Sequence, residues 1–290
     1  MKEKSILEKW RSRKKNLANR PKGIQKRPEN IQIPLSFGQE RLWFMQQLYP
    51  DNPFYHYAET YWLKGQLQRN ALQQAFDYLV NRYEILRTNF QLQDGRPIQI
   101  VQPNVDIRIE QIDLSQVAEN ERNAQLEAAS VAAAKQPFDL QKDPLFRIQL
   151  FQLSETVHVL LLTMHHIITD KWSMNVLRQE LVDCYNQLSQ GTPVHLSALP
   201  YQFADFAYWQ RQQKQDEKHL NYWTTKLGGK LPILELPYDF PRPPVNSFEG
   251  SYHEQNLPLE LCAPIRNLSK DFGVTLYVFM LAAYKIMLQK

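Results

Sequence analysis

The sequence predicts an α/β fold on three observations. Segments with apolar residues at helical spacing alternate along the chain with short runs rich in branched and aromatic side chains. An Asp94-Gly95 pair, a tight-hairpin signal, separates two of those runs. Val157 to Met164 is almost continuously apolar, as a strand covered on both faces should be.

The elements follow in order. Ser36 caps a helix with Gln39 in the reciprocal place of a capping box, and Phe37, Leu42, Phe44, Met45 and Leu48 form its apolar face until Pro50 and Pro53 end it. Tyr57 to Leu63 reads as a strand. Asn70 to Tyr83 reads as a helix with Leu72, Ala75, Phe76, Leu79 and Val80 on one side. The hairpin joins Thr88–Phe90 to Ile98–Val101, and a further strand is expected over Val105 to Ile112, before an alanine-rich helix over Val117 to Lys135. Phe146–Leu153 and Val157–Met164 are adjacent strands joined through Ser154 to Thr156. A helix is expected over Trp172 to Leu188, closed by Gly191 and Pro193, and a long one over Tyr201 to Leu227. Pro232, Pro237, Pro241, Pro243 and Pro244 mark residues 231–250 as a linker. Beyond it come a strand at Ser251–Leu257, a helix at Leu259–Phe272 and a very apolar helix at Thr275–Leu288.

The net charge is +4 over 290 residues, and its excess sits in a basic leader, residues 1–33. That leader is helical over Ile6 to Leu17 or disordered. It reads either as a solvated run or as a docking helix for an acidic partner; ordered structure is expected from Pro34. No nucleic-acid motif accompanies it, so nucleic acid is not an expected partner. Cys184 and Cys262 lack CxxC spacing, so free thiols and no metal centre are expected. No apolar stretch has the length of a membrane span, which makes the cytoplasm the expected location and leaves no membrane partner.

The chemistry concentrates after the apolar strand, where His165 and His166 are followed by Asp170, Lys171, Trp172 and Ser173. Adjacent strand residues face opposite ways, so one histidine should pack and the other should act. An imidazole held at the end of a buried strand suits general-base work. Taken alone, the pair reads equally well as structural. Trp43, Trp62, Trp172, Trp209 and Trp223 read as core anchors, and Ser173 as the cap of the helix beginning near Trp172.

Four segments in order carry a resemblance. Leu35–Leu48 is similar to the first core motif of nonribosomal peptide synthetase condensation domains, Asn81–Phe90 to the second, Met164–Ser173 to the third, HHxxxDGWS, and Tyr201–Arg211 to the fourth. The resemblance runs from Pro34 to the last residue. It implies the chloramphenicol acetyltransferase-like fold, two α/β lobes in a V: here a complete N-terminal lobe over residues 34–230 and an incomplete C-terminal lobe starting at residue 251. It also implies amide formation between a donor acyl thioester and an acceptor amine, each on the phosphopantetheine of a carrier protein, with no cofactor of the domain's own. His166 then takes the catalytic place. His165 and Asp170 are structural, with Arg87 a candidate partner for Asp170.

Two residues depart from the motifs. Lys171 replaces the glycine after the aspartate and puts a long cation beside the presumed tunnel, where it is expected to inhibit if its side chain points inward; Tyr83 replaces a histidine. A third expectation is that the chain stops before the later motifs, so that a downstream second-lobe or adenylation segment would be a partner. The alternative function is a catalytically silent remnant or split-gene fragment serving as a docking module. The first and third motifs match the type joining two L-residues, whereas an epimerisation domain differs in the first motif and a cyclisation domain carries aspartates for the histidine pair.

Overall fold

The computed structural model describes residues 23–213, 217–233, 235–241, 243–244, 250 and 253–289. The chain divides into two compact units, Met1–Gln215 and Asp216–Lys290. Residues 1–22, including the helix expected over Ile6 to Leu17, lie outside the described residues.

The first unit is built on four strands. These are β2 (His56–Lys64), β5 (Ile109–Asp113), β6 (Phe146–Gln152) and β7 (Val157–His165), ordered β2-β7-β6-β5. Only the β5–β6 pair is parallel, and β7 is central. β7 is buried along nearly its whole length, which is why its sequence carries apolar residues at both parities. Leu160, Leu162 and Met164 face one core together with Phe146, Ile148 and Leu150 of β6. Val159 and Leu161 face a second, smaller core with Phe151 and Leu153.

Helices cover both faces. The larger core holds α2 (Arg69–Arg82), through Leu72, Ala75, Phe76, Leu79 and Val80, and α4 (Lys171–Ser189), through Met174, Leu177, Leu181 and Cys184. The smaller core takes Leu126, Ala129 and Ala133 of α3 (Glu119–Lys135). A small sheet, β1 (Ile33–Pro34), β4 (Arg96–Val101) and β3 (Thr88–Gln93), sits beside them. Its hairpin turns at Asp94 and Gly95, both at positive φ (50° and 75°), the geometry that the Asp-Gly pair supplies. α1 (Phe37–Leu48) and α5 (Phe203–Gln212) complete the unit.

Several expectations change. Structure begins before Pro34, because Arg27 is already tied to Glu84 and Asp205. The strand expected from Val105 starts only at Ile109, and Val105 to Arg108 are irregular backbone. The long helix over Tyr201 to Leu227 is two helices, α5 and α6 (Glu217–Leu227). The inward face of α1 is also different: Phe37, Phe44 and Leu48 are exposed, while Gln39 and Gln46 are buried beside Leu42 and Trp43. Those amides satisfy buried polar groups that apolar side chains would orphan.

The second unit contains α6, α7 (Leu259–Asp271) and α8 (Leu276–Gln289). Residues 253–257, the described part of the strand expected at Ser251–Leu257, have no regular structure. Tyr277, Tyr284, Ile286 and Met287 of the very apolar α8 are exposed. Among the described residues no single helix is long and apolar enough to cross a membrane.

Candidate active site

The chain leaves β7 at His165, and His166 opens the turn that leads to α4. Two backbone bonds set this junction: His165 N–H donates to Leu145 O at 2.9 Å, and His166 N–H donates to Tyr55 O at 2.7 Å. The strand pleat then separates the two rings.

His165 is fully buried. Its ring lies edge-on to His56 and Phe138, with centroids 5.7 and 6.3 Å away. Ile167 N–H donates to Nδ1 at 3.0 Å, so that nitrogen carries the lone pair and the proton is on Nε2, 3.3 Å from Gln46 Oε1. Burial, with the nearby His56 and His166 charges adding to it, pushes the His165 pKa down to about 3. It is a neutral packing residue.

His166 is half-buried and holds the other tautomer. Its Nδ1 is 2.9 Å from Thr169 O; a carbonyl only accepts, so Nδ1 carries the proton and Nε2 keeps its lone pair. This ring lines a cavity of about 630 Å³, within the roughly 300–1,000 Å³ of small-molecule sites. Arg41, Tyr83, Trp172, Tyr201 and Phe203 supply other parts of the wall, so all four motif segments converge there.

Asp170 is the N-cap of α4. Its Oδ1 accepts from the Ser173 N–H and hydroxyl, both at 2.7 Å, and those two bonds hold its carboxyl below the usual range. Ser173 is therefore the donor to the cap and not the cap itself. Arg87 is not brought to this cavity: it lines a separate one and its guanidinium donates to Gln102 O. No salt bridge among the described residues joins Arg87 to Asp170.

Lys171 does not line the cavity. Its ammonium turns to β2, donating to Tyr57 Oη at 3.0 Å and pairing with Glu59 Oε1 at 3.2 Å. Those bonds raise its pKa, the Tyr57 hydroxyl contributing first and Glu59 next. Tyr83, at the other departure, donates to Glu180 Oε2 at 2.7 Å, and the same carboxylate pairs with Arg82 at 3.0 Å. Of the tryptophans, Trp43 packs on the core, but Trp62 and Trp223 are exposed and Trp172 is 78% exposed at the cavity wall.

Gln46 and Thr169, which the sequence does not single out, and Gln39, expected only in the capping box that it does form with Ser36, orient the histidine turn. Gln39 Nε2 approaches Ile167 O at 3.4 Å and Gln99 Oε1 at 3.2 Å. The signal was present, since two glutamines seven apart share one face of a helix. Among the described residues no His, Cys, Asp and Glu cluster could hold a metal.

The model of the Condensation domain matches residues 29–290. The chain belongs to the condensation-domain family. A linear gramicidin synthase of Brevibacillus parabrevis is 41% identical over 266 residues, covering 91% of this chain and 3% of that protein. Chondramide synthase of Chondromyces crocatus is 39% identical over 259 residues, covering 88% of this chain and 7% of that protein. The chain thus spans a small fraction of the synthetases it matches. Among solved structures, the X-domain from teicoplanin biosynthesis in complex with OxyB superposes with a TM-score of 0.72 at 28% identity, covering 87% of this chain and 55% of that one. A four-domain nonribosomal peptide synthetase gives a TM-score of 0.76 at 23% identity, over 92% of this chain and 20% of that one. The condensation domain described here is of the nonribosomal peptide synthetase type and has the corresponding mixed α/β fold.

Proposed function

We propose that this condensation domain joins a donor acyl or peptidyl thioester to the amine of an acceptor aminoacyl thioester, both presented on carrier-protein phosphopantetheine. His166 carries the reading: a half-buried imidazole whose Nδ1–H is committed to Thr169 O, leaving Nε2 as the free base of a ring that lines the cavity. The acceptor nitrogen attacks the donor carbonyl, the C–N bond forms and the C–S bond breaks. Nε2 takes the proton that the amine loses and returns it to the departing thiolate. The lengthened chain is left on the acceptor carrier. Such proton transfer contributes roughly 10²–10⁴-fold to a rate.

His165, Gln46 and Asp170 hold the turn and helix that position His166. The partners are the donor and acceptor carrier proteins, with a downstream second-lobe or adenylation segment in the same assembly line. That the relatives are synthetases far longer than this chain supports these partners. One observation favours a second reading, an interaction module without turnover: the X-domain neighbour was captured in complex with OxyB.

The test is single-turnover condensation between defined loaded carriers, read as the mass of the acceptor carrier. His166→Ala should lower the rate by about 10²-fold or more with melting behaviour nearly unchanged. Full product from His166→Ala would end the catalytic reading and favour the docking one.

A further inference from the structure

Lys171 occupies the place where the motif has glycine, beside the residues that form the site. A side chain there would obstruct the site if it pointed inward. It points instead along the sheet to β2, where Tyr57, Glu59 and Tyr61 alternate on one face of the strand. Glu59 gathers the cluster: Oε2 accepts from Tyr61 Oη at 2.8 Å and from Tyr57 Oη at 3.3 Å, and Oε1 takes the Lys171 ammonium.

Tyr57 is the link to the site. Its ring meets the His166 ring edge to face, with centroids 5.9 Å apart and planes at 80°. The imidazole is also held through Nδ1 by Thr169 O. Rotation about the outer side-chain bond of His166 is therefore limited by that hydrogen bond and by the contact with the Tyr57 ring. At its outer end the Tyr57 hydroxyl is held by Glu59 and Lys171.

We propose that Lys171 and Tyr57 are positioning residues for His166: Lys171, anchored on Glu59, fixes the Tyr57 hydroxyl, and the Tyr57 ring braces the imidazole so that Nε2 stays aimed. The inference rests on the proposed condensation reading for its kinetic consequence, but the brace itself is independent of it. The inhibition expected of an inward side chain does not apply, because this lysine turns away from the cavity.

Two measurements on the full chain separate the possibilities. With histidine-labelled protein, the His166 ring resonances of Lys171→Met should move in the same direction as those of Tyr57→Leu, because both lose the ring-current effect of a fixed tyrosine; Lys171→Arg, which keeps the donors, should stay near the wild-type spectrum. In the carrier assay, Lys171→Met and Lys171→Gly should lower kcat on the order of threefold, the scale of one exposed contact, with KM unchanged and Lys171→Arg recovering most of the loss. A His166 spectrum unaffected by Lys171→Met, or a Lys171→Gly rate equal to or above wild type, overturns the proposal. If His166→Ala condenses at the full rate, the condensation reading fails instead, and the spectra still decide whether the brace exists.

Discussion

His165 and His166 adjoin in sequence and differ in burial, tautomer and hydrogen-bond partners. His165 is enclosed and its native pKa, about 3, lies below the unfolded value of 6.5. The unfolded chain therefore binds the extra proton first, so this residue's stability is fully present above about pH 6.5 and is lost as pH falls from there towards 3. By pH 4 the loss is on the order of 3 kcal/mol. His56, also pushed down by burial, acts in the same direction. Urea midpoints taken between about pH 7.5 and 4 should fall for wild type and fall less steeply for His165→Gln, which starts lower because its packing is poorer. Parallel slopes for the two proteins would show that His165 is not the buried neutral group described here. That one of the pair would pack was legible from strand parity alone; which one was not, because parity fixes opposite faces without saying which face is lined by a cavity. The position of Lys171 was illegible for a related reason, since its partners Tyr57 and Glu59 lie 114 and 112 residues away and meet it only through the pairing of β2 with β7.

At the scale of elements, polar hubs join the motif segments. Arg27 donates to Asp205 Oδ1 at 2.9 Å and to Glu84 Oε2 at 2.9 Å. Asp205 Oδ2 accepts from Gln202 N–H, and the Gln202 side chain in turn accepts from Glu84 N–H and donates to Arg82 O. Burial pushes the Asp205 carboxyl up, but the bonds from Gln202 and Arg27 outweigh it and hold it low. Tyr201 and Phe203, which flank Gln202, are cavity wall, so the segment before α1 helps set the shape of the site. Arg27→Ala leaves the buried Asp205 without its charge partner and should cost about 2 kcal/mol or more, with faster amide exchange at residues 202–205 than in a distant helix such as α3. An unchanged melting temperature and exchange pattern would show the hub to be unimportant. Helices with strong periodicity, such as α2, were read within a residue of their ends, because tertiary packing and sequence pattern agree there. α1 was placed correctly but faced wrongly: its inward glutamines answer buried carbonyls and a buried histidine, which no hydropathy pattern records.

At the scale of the molecule, the four motif segments, spread from Leu35 to Arg211, meet around one cavity in the first unit. The central strand explains why: β7 carries the histidines to its end, and α1, the turn at Tyr83 to Leu86 that follows α2, the first turns of α4 and the start of α5 deliver the other walls. The motif order was readable in sequence, as was the α/β class. The break at Gln215 and Asp216 was not, because Tyr201 to Leu227 keeps helical spacing across it. The central claim is that Nε2 of His166, and not His165, is the base presented to a substrate arm. Treatment with chloroacetyl pantetheine followed by peptide mass spectrometry tests it without requiring turnover, and any adduct on Cys262 is distinguished by its peptide. A single ring adduct on His166, lost in His166→Ala and unaffected by His56→Gln, is the predicted result; alkylation of His165, or no histidine adduct at a concentration that modifies free imidazole, would contradict it.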